Sequence, residues 1–169
     1  MKRRAIKIVV LVLSVFTFNS CITYSFTGAS IPVTAKTISI DYFENNADFV
    51  NPTLSEILTQ ALRDRFTSQS SLTLIPSGGD LQFVGEITNY RTSPQAIQGD
   101  DVAALNRLTV TVKMKFTNLI EPENDFETTF SAYEDYSSDL DLTTVQDGLI
   151  EVIKVMIIDD IFNKAVVNW

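Results

Sequence analysis

The most regular segment of the chain is Leu108-Thr109-Val110-Thr111-Val112-Lys113-Met114-Lys115-Phe116. Apolar and polar residues alternate along it without a fault, which is the period of a β-strand with one buried and one exposed face. A turn rich in Glu, Pro and Asn follows at 121–124, and residues 126–133 alternate again. The segment from 106 to 136 is therefore predicted to form a long antiparallel hairpin with one apolar face.

Weaker strand patterns precede this hairpin. Residues 36–42 alternate with a period of two, and residues 81 to about 90 do the same, although Val84 and Tyr90 make the outer face of that second strand partly apolar. Residues 72–76 predict a short strand, and the glycines of the turn at 77–80 predict that it forms a hairpin with the next strand. Residues 92–104 show neither period and are predicted to be a mobile loop with a functional role.

Two segments have the period of a helix. The first begins at Asn51-Pro52, where asparagine can cap and proline can occupy the first helical position, and it ends near Gln69. The second runs from Val145 to about Val167, after an acidic loop at 139–144. Its apolar face is wider than contact with one sheet requires, so either the first helix flanks it or a partner covers it.

The order of these elements is β-α-β-β-β-β-α. Runs of consecutive strands with few helices are typical of the α+β class, in which helices cover one face of an antiparallel sheet. The sequence therefore predicts an α+β fold with two helices packed on one face of a four- to five-stranded, mostly antiparallel sheet.

The N-terminal residues have the layout of a secretory signal. Their basic residues are Lys2, Arg3, Arg4 and Lys7. The apolar run at 8–13 is well short of the ~20 residues that cross a bilayer. Phe18-Asn19-Ser20-Cys21 follows and resembles a bacterial lipobox, in which the cysteine sulfur accepts a diacylglyceryl group. We therefore predict that Cys21 is the lipid-attachment residue. The alternatives are a signal that is cut elsewhere and a disulfide, which lacks a second cysteine.

This layout predicts three parts: a lipoprotein signal peptide at 1–20, an acylated tether at 21–35 and a single α/β domain at 36–169. The chain has 13 basic and 21 acidic residues, for a formal net charge of −8. Loss of a signal that contains four of the basic residues would make that charge −12. Such an acidic domain disfavours nucleic-acid binding and electrostatic docking on anionic lipid.

The sequence lacks the side chains that the common classes of enzyme use for catalysis. The chain has no histidine, its one cysteine is assigned to the anchor, and no glycine-rich loop resembles a phosphate-binding loop. The adjacent acidic pairs are Asp100-Asp101, Glu134-Asp135 and Asp159-Asp160. Neighbouring residues point in different directions on a strand or helix, which favours solvated carboxylates over general acid–base pairs. Asp135, Asp139 and Asp141 lack the glycine turn and closing glutamate of a calcium loop. We expect no catalytic residue, no cofactor and no metal.

Five stretches are more distinctive than any fold-level pattern. They are TISIDYF (37–43), NPTLS (51–55), GDLQF (79–83), ALNRLTV (104–110) and DIFNKA (160–165). These stretches resemble the LptE-like lipopolysaccharide-assembly lipoproteins of the Bacteroidetes type, over a range from Cys21 to Trp169. The resemblance implies a subunit of the outer-membrane lipopolysaccharide translocon that sits inside a large LptD-like β-barrel as a plug and helps the barrel to assemble. It also implies two helices against a four-stranded sheet.

In the proteobacterial members of this family, basic residues at the end of the sheet are thought to contact the lipid A phosphates or disaccharide. The resemblance thus implies candidates in this chain, which are Arg91, Arg107, Lys113 and Lys115. Guanidinium and ammonium groups suit phosphate. The alternative is that these cations are scattered surface charges that keep strand edges soluble.

Residues 22–26 contain no acidic residue. Lipoproteins that such bacteria export to the cell surface typically resemble one another in acidic residues just after the cysteine. The resemblance therefore implies a lipid-anchored protein at the outer membrane that faces the periplasm. The alternative function is an autonomous periplasm-facing lipoprotein that binds a glycan or a lipid through its sheet and needs no barrel.

Overall fold

The computed structural model describes residues 31, 34–95 and 104–166. The strands are β1 (Thr37–Ile40), β2 (Glu44–Asn45), β3 (Thr73–Leu74), β4 (Leu81–Gln95), β5 (Leu105–Asn118) and β6 (Phe126–Ser137). The helices are α1 (Leu54–Gln69) and α2 (Leu142–Val166), with a 3₁₀ turn at Pro122–Asn124. The predicted signal peptide, Cys21 and most of the predicted tether lie outside the described residues.

The predicted central hairpin is confirmed. β5 pairs antiparallel with β6 from Leu105 to Phe116, and it pairs antiparallel with β4 on its other side. The apolar residues of the alternating pattern are almost completely buried: Leu108, Val110, Val112, Met114 and Phe116. One face of β5 therefore forms the centre of the core, as its period of two requires.

The predicted hairpin between residues 72–76 and 81–90 is wrong. β3 and β4 both pair in parallel with β1, one on each side, so the sheet order is β3-β1-β4-β5-β6, with β2 also pairing with β4. The turn at 77–80 instead crosses over β1. A Cβ atom on Gly79 would lie 2.6 Å from the backbone nitrogen of Ser39, and Gly78 has a φ of +73°. The two glycines therefore allow the turn to cross close to the backbone of β1, and they do not form a hairpin.

A bulge in β4 changes the predicted faces. The register with β5 shifts between Ile87 and Asn89. The extra residue turns Tyr90 to the helix side, where it is 6% exposed, although the alternation predicts it on the outer face. β4 also continues to Gln95, so the start of the predicted loop at 92–104 is strand. Residues 96–103 of that loop lie outside the described part of the chain.

Side chains organise both helix starts. α1 begins at Leu54, because the predicted start at Asn51-Pro52 is a turn in which the Asn51 Oδ1 accepts hydrogen bonds from the Thr53 backbone N–H (3.0 Å) and hydroxyl (2.9 Å). α2 begins three residues before the predicted Val145. Asp141 precedes it, and its carboxylate accepts hydrogen bonds from the backbone N–H and hydroxyl of Thr143.

Both helices pack on the same face of the sheet, which confirms the predicted α+β architecture with a mixed sheet of six strands. A chain of phenylalanine rings joins the layers. Phe83 on β4 lies 4.9 Å from Phe66 on α1 and 4.7 Å from Phe116 on β5, and Phe66 lies 5.0 Å from Phe162 on α2. α2 contacts both α1 and β6, which accounts for most of its wide apolar surface, while Val152 and Val155 remain exposed.

Candidate functional site

The sheet has one covered face and one open face. The helices cover the inner face, whereas no described helix or loop lies over the outer face of β4, β5 and β6. The charged residues that alternate onto this outer face are Glu86, Arg91, Arg107, Lys113, Lys115, Glu127 and Asp135. The face therefore carries all four predicted lipopolysaccharide-binding candidates, together with three carboxylates that can neutralise them.

Arg107 is already bound within the sheet. Its Nε and Nη2 donate hydrogen bonds to the two carboxylate oxygens of Asp135 on β6, at 2.7 and 2.9 Å. The guanidinium carbon also lies 3.6 Å from the centre of the Tyr133 ring. The hydrogen bond raises the pKa of Arg107 and lowers the pKa of Asp135. A bidentate pair stacked on an aromatic ring holds the guanidinium rigidly, so a phosphate must displace Asp135 to bind there.

Lys113 is paired as well. Its ammonium group forms an ion pair with Glu127 on β6. The hydrogen bond in this pair raises the pKa of Lys113 and lowers the pKa of Glu127. Lys115 lies directly opposite Glu127 in the strand register, and its charge also lowers the pKa of Glu127. These side chains line a shallow depression of about 120 Å³ on the open face.

Lys115 and Arg91 are the less engaged cations. Both are exposed, and neither forms an ion pair with another residue of the described chain. They do not lie together. Arg91 is opposite Thr109 in the register, and Lys115 is six residues further along β5, or roughly 20 Å at the usual rise of a strand. The structure thus brings Lys113 beside Lys115 and leaves Arg91 nearer to Arg107, in two groups.

A row of hydroxyl groups separates these two groups. Thr109 and Thr111 on β5 and Thr129 and Ser131 on β6 all point to the open face, and the hydroxyls of Thr111 and Ser131 are 3.0 Å apart. Sequence analysis missed this row and the contact of Tyr133 with Arg107. The hairpin register, centred near residue 121, predicts the row, and it places Tyr133 diagonally opposite Arg107, within reach of a long side chain.

The described residues form neither a metal site nor a membrane-spanning helix. Across 31, 34–95 and 104–166, no group of three or more acidic, His or Cys side chains is arranged to hold a metal ion. Neither helix in this part of the chain is long and apolar enough to span a membrane.

Several solved bacterial structures have a similar fold. A minor lipoprotein from Acinetobacter baumannii is 15% identical, covers 77% of this chain and 91% of its own, and has a TM-score of 0.50. A protein from Chlamydia trachomatis is 9% identical, covers 79% of this chain and 99% of its own, and has a TM-score of 0.51. A Helicobacter pylori homologue of a neuraminyllactose-binding hemagglutinin is 8% identical, covers 83% of this chain and 88% of its own, and has a TM-score of 0.52. At these identities the likeness concerns the fold alone.

A search of curated proteins finds no match. A family model does match: LptE, described as lipopolysaccharide-assembly, aligns with residues 35–165. That range begins just before β1 and ends within the last turn of α2, so it includes every described strand. The predicted family resemblance is confirmed, and its Bacteroidetes type stays a prediction. The chain belongs to the LptE lipopolysaccharide-assembly family.

Proposed function

We propose that this chain is an outer-membrane lipoprotein subunit of the lipopolysaccharide translocon, in which it acts as plug and assembly partner of a large LptD-like β-barrel. The observation that carries the proposal is the LptE family match over residues 35–165. Membership in a lipopolysaccharide-assembly family places the chain in that process. The barrel partner, the plug position and the absence of catalysis belong to the proposal.

The open face of the sheet supports a plug. The interior of an outer-membrane barrel is polar, and a protein inside it must present hydrogen-bonding groups on its exposed surfaces. Here the hydroxyls of Thr109, Thr111, Thr129 and Ser131 lie between two groups of charges of both signs. Such a face can hydrogen-bond to a polar wall without burying a large uncompensated charge.

Membrane attachment through Cys21 is a second part of the proposal. Two or three acyl chains hold a protein on a bilayer stably, whereas a single chain does so only marginally. A Cys21→Ser variant cannot form the thioether. We expect metabolic labelling with a palmitate analogue to mark the full chain and to leave Cys21→Ser unmarked. Equal labelling of both proteins would contradict this assignment.

Direct contact with lipopolysaccharide is the third part. Of the four candidates, Lys115 and Arg91 suit a phosphate best, because Asp135 and Glu127 already neutralise the other two. We expect Lys115→Gln and Arg91→Gln to reduce the lipopolysaccharide that co-purifies with the protein. A matched control is Lys154→Gln on α2, whose ammonium group is paired with Glu151 away from the open face. Equal lipopolysaccharide recovery from all three variants would contradict the contact.

The experiment that tests the main proposal is purification of the tagged, acylated full chain from outer membranes in mild detergent, followed by mass spectrometry. We expect a large outer-membrane barrel to co-purify in near-equal amount, and depletion of this protein to reduce the folded barrel. Recovery of the lipoprotein alone, with normal barrel folding on depletion, would overturn the proposal in favour of an autonomous lipoprotein that binds a glycan or lipid.

A further inference from the structure

The two outer edges of the sheet differ in length and in protection. β3 closes one side with only two residues and is followed closely by Pro76. Among the described strands, β6 closes the other side with 12 residues, in continuous register with β5 and without proline, lysine or a bulge. Proteins usually shorten or interrupt an exposed edge to prevent pairing with other chains. The edge of β6 is neither short nor interrupted, and its charged residues, Glu127, Glu134 and Asp135, flank a central run at 128–133 that carries no charge.

One hydrogen bond establishes which backbone groups of β6 have no strand partner in the part of the chain that the structure describes. The Ser138 N–H donates to the Ala104 carbonyl at 2.9 Å, in line with the register that pairs Leu105 with Ser137. Hydrogen-bonded pairs alternate with non-bonded pairs in an antiparallel ladder. The even-numbered residues of β6 therefore bond to β5, and the odd-numbered residues direct their N–H and C=O groups away from it. Thr129 and Ser131 present these groups at the free edge.

A groove beside this edge has a definite chemistry. Its volume is about 620 Å³, and it lies between β6 and α2. Ala132 and Met156 contribute apolar surface, and Glu134, Asp159 and Asp160 contribute carboxylates. Asp159 is paired with a guanidinium 3.0 Å away, that of Arg65. Glu134 and Asp160 form no ion pair within the described chain, so the groove offers two unpaired carboxylates next to the free strand edge.

We propose that the free edge of β6 binds an extended segment of a partner protein, which adds a seventh strand and places lysine or arginine side chains over Glu134 and Asp160. Backbone hydrogen bonds supply the affinity in this kind of strand addition, and alternate side chains supply the specificity. Every second side chain of the added strand faces α2, where the carboxylates and Met156 select a basic residue with a long apolar stem.

Charge excludes a second copy of this chain as the occupant. Pairing two β6 edges would bring the acidic grooves of two acidic chains together, each with a formal net charge of −8. A strand in the wall of a closed barrel is excluded too, because both of its edges are already paired. The partner segment is therefore a loop or a terminal segment. This inference is independent of the barrel assignment, since any protein with such a segment would bind.

The first test uses the acylated full chain in mild detergent and two synthetic peptides. The probe is acetylated, fluorescently labelled TVKVTVKVT, and its matched control is TVEVTVEVT. We expect saturable binding of the lysine peptide by fluorescence anisotropy, and at least about ten-fold weaker binding of the glutamate peptide. Absence of lysine-peptide binding up to about 1 mM, or equal binding of both peptides, would overturn the proposal.

A proline substitution identifies the edge. Ser131→Pro removes an N–H that points away from β5, so the ladder within the protein keeps its hydrogen bonds and the strand can persist. We expect this variant to bind the lysine peptide at least about ten-fold more weakly than wild type. The control Ser131→Ala keeps the N–H and loses only the hydroxyl, so its affinity should remain unchanged. Equal binding by Ser131→Pro would show that the peptide lies elsewhere.

A charge reversal keeps the test decisive if the proline alters the fold. Glu134→Lys combined with Asp160→Lys leaves the backbone intact and should reverse the preference, so that the glutamate peptide binds more tightly. Amide exchange gives a second signature. On binding, exchange at Thr129 and Ser131 should slow, whereas exchange at Phe130, which is already bonded to β5, should stay constant. Unchanged preference after charge reversal would overturn the proposal.

Discussion

The two halves of the sheet are held together in different ways. β4, β5 and β6 form a continuous antiparallel ladder from strands of 15, 14 and 12 residues. β1, β2 and β3 have four, two and two residues and pair in parallel. Short parallel strands form few backbone hydrogen bonds, and side chains supply additional ones in this half. The comparison shows that a parallel half this small depends on a few identifiable side chains.

Those side chains come from α1 and from the start of β4. The Thr59 hydroxyl accepts a hydrogen bond from the Phe43 backbone N–H at 3.0 Å, in a buried position. The Arg63 Nη2 donates to the Ile40 carbonyl at 2.8 Å. Asp80 bonds to the backbone and side chain at the start of β1. Backbone groups that would pair with a neighbouring strand in a longer sheet thus find partners on side chains.

The largest effect is expected where the two halves meet. Phe83 lies on β4, which pairs with strands of both halves, and its ring contacts Phe66 and Phe116. Phe83→Ala should lower the free energy of unfolding by about 3–5 kcal/mol, because it leaves a cavity in a close-packed core. Chemical denaturation measures this loss. Leu119→Ala, at a side chain that is 57% exposed, is the control. Unfolding of one half while the other keeps its amide protection would show that the halves are independent.

A smaller loss is expected from a side chain that serves the parallel half alone. Thr59→Val has nearly the same shape but leaves the buried Phe43 N–H without an acceptor, which should cost about 1–3 kcal/mol. Thr67→Val on the same helix is the matched control, since the Thr67 hydroxyl bonds to its own helix in an exposed position. Denaturation should separate the two variants, and amide exchange should quicken first at Phe43. Equal destabilisation by both would contradict a special role for Thr59.

The stability of the parallel half should also depend on pH, through Asp80. Hydrogen bonds from the Lys36 backbone, and then from the hydroxyl and backbone of Thr37, lower the pKa of Asp80 below its ordinary value. A carboxyl group whose pKa is lower in the folded state than in the unfolded state stabilises the fold at a pH above its unfolded pKa, which is about 3.9 for aspartate. This contribution is lost as the pH falls through the pKa of the folded state. Acid below about pH 4 should therefore loosen the start of β1.

Asp80→Asn tests this expectation. The variant should melt at a lower temperature than wild type at neutral pH, and its melting temperature should fall less between pH 5 and pH 2. Asp141→Asn is the control, because the pKa of Asp141 is also lowered but its partner Thr143 lies at the start of α2. Faster amide exchange in β1 should occur only in Asp80→Asn. The same exchange pattern in both variants would contradict a local effect.

The same contrast explains which parts of the fold were predictable from sequence. The antiparallel half follows from a period of two, because residues 105–137 pair with their neighbours along the chain. The parallel half does not, because β2 and α1 lie between β1 and its partners β3 and β4 along the chain. The glycines at 77–80 suit a hairpin as well as a crossing over β1, so local chemistry could not distinguish the two. The bulge that moves Tyr90 to the core has no mark in the sequence.

The candidate site was predictable to a similar extent. Alternation places Arg107, Lys113 and Lys115 on the outer face, whereas Arg91 lies there because of the bulge in β4. The hairpin register puts Lys115 opposite Glu127, so the diagonal ion pair of Lys113 with Glu127 does not follow from the register alone. The free edge of β6 was not predictable, because it depends on the order of strands in the sheet. Strand order is a property of the whole fold, whereas sequence periodicity reports only on each strand separately.

The smallest effect on stability is expected on the open face. Lys115 is exposed and forms no ion pair within the described residues, so Lys115→Gln removes only a weak, solvent-screened attraction to Glu127 from the antiparallel half. Thermal unfolding should show no measurable change, in contrast to Thr59→Val in the parallel half. The same variant should lose co-purifying lipopolysaccharide if the cation serves binding. A melting temperature lowered as much as in Thr59→Val, with lipopolysaccharide recovery unchanged, would instead make Lys115 a structural residue of the ladder.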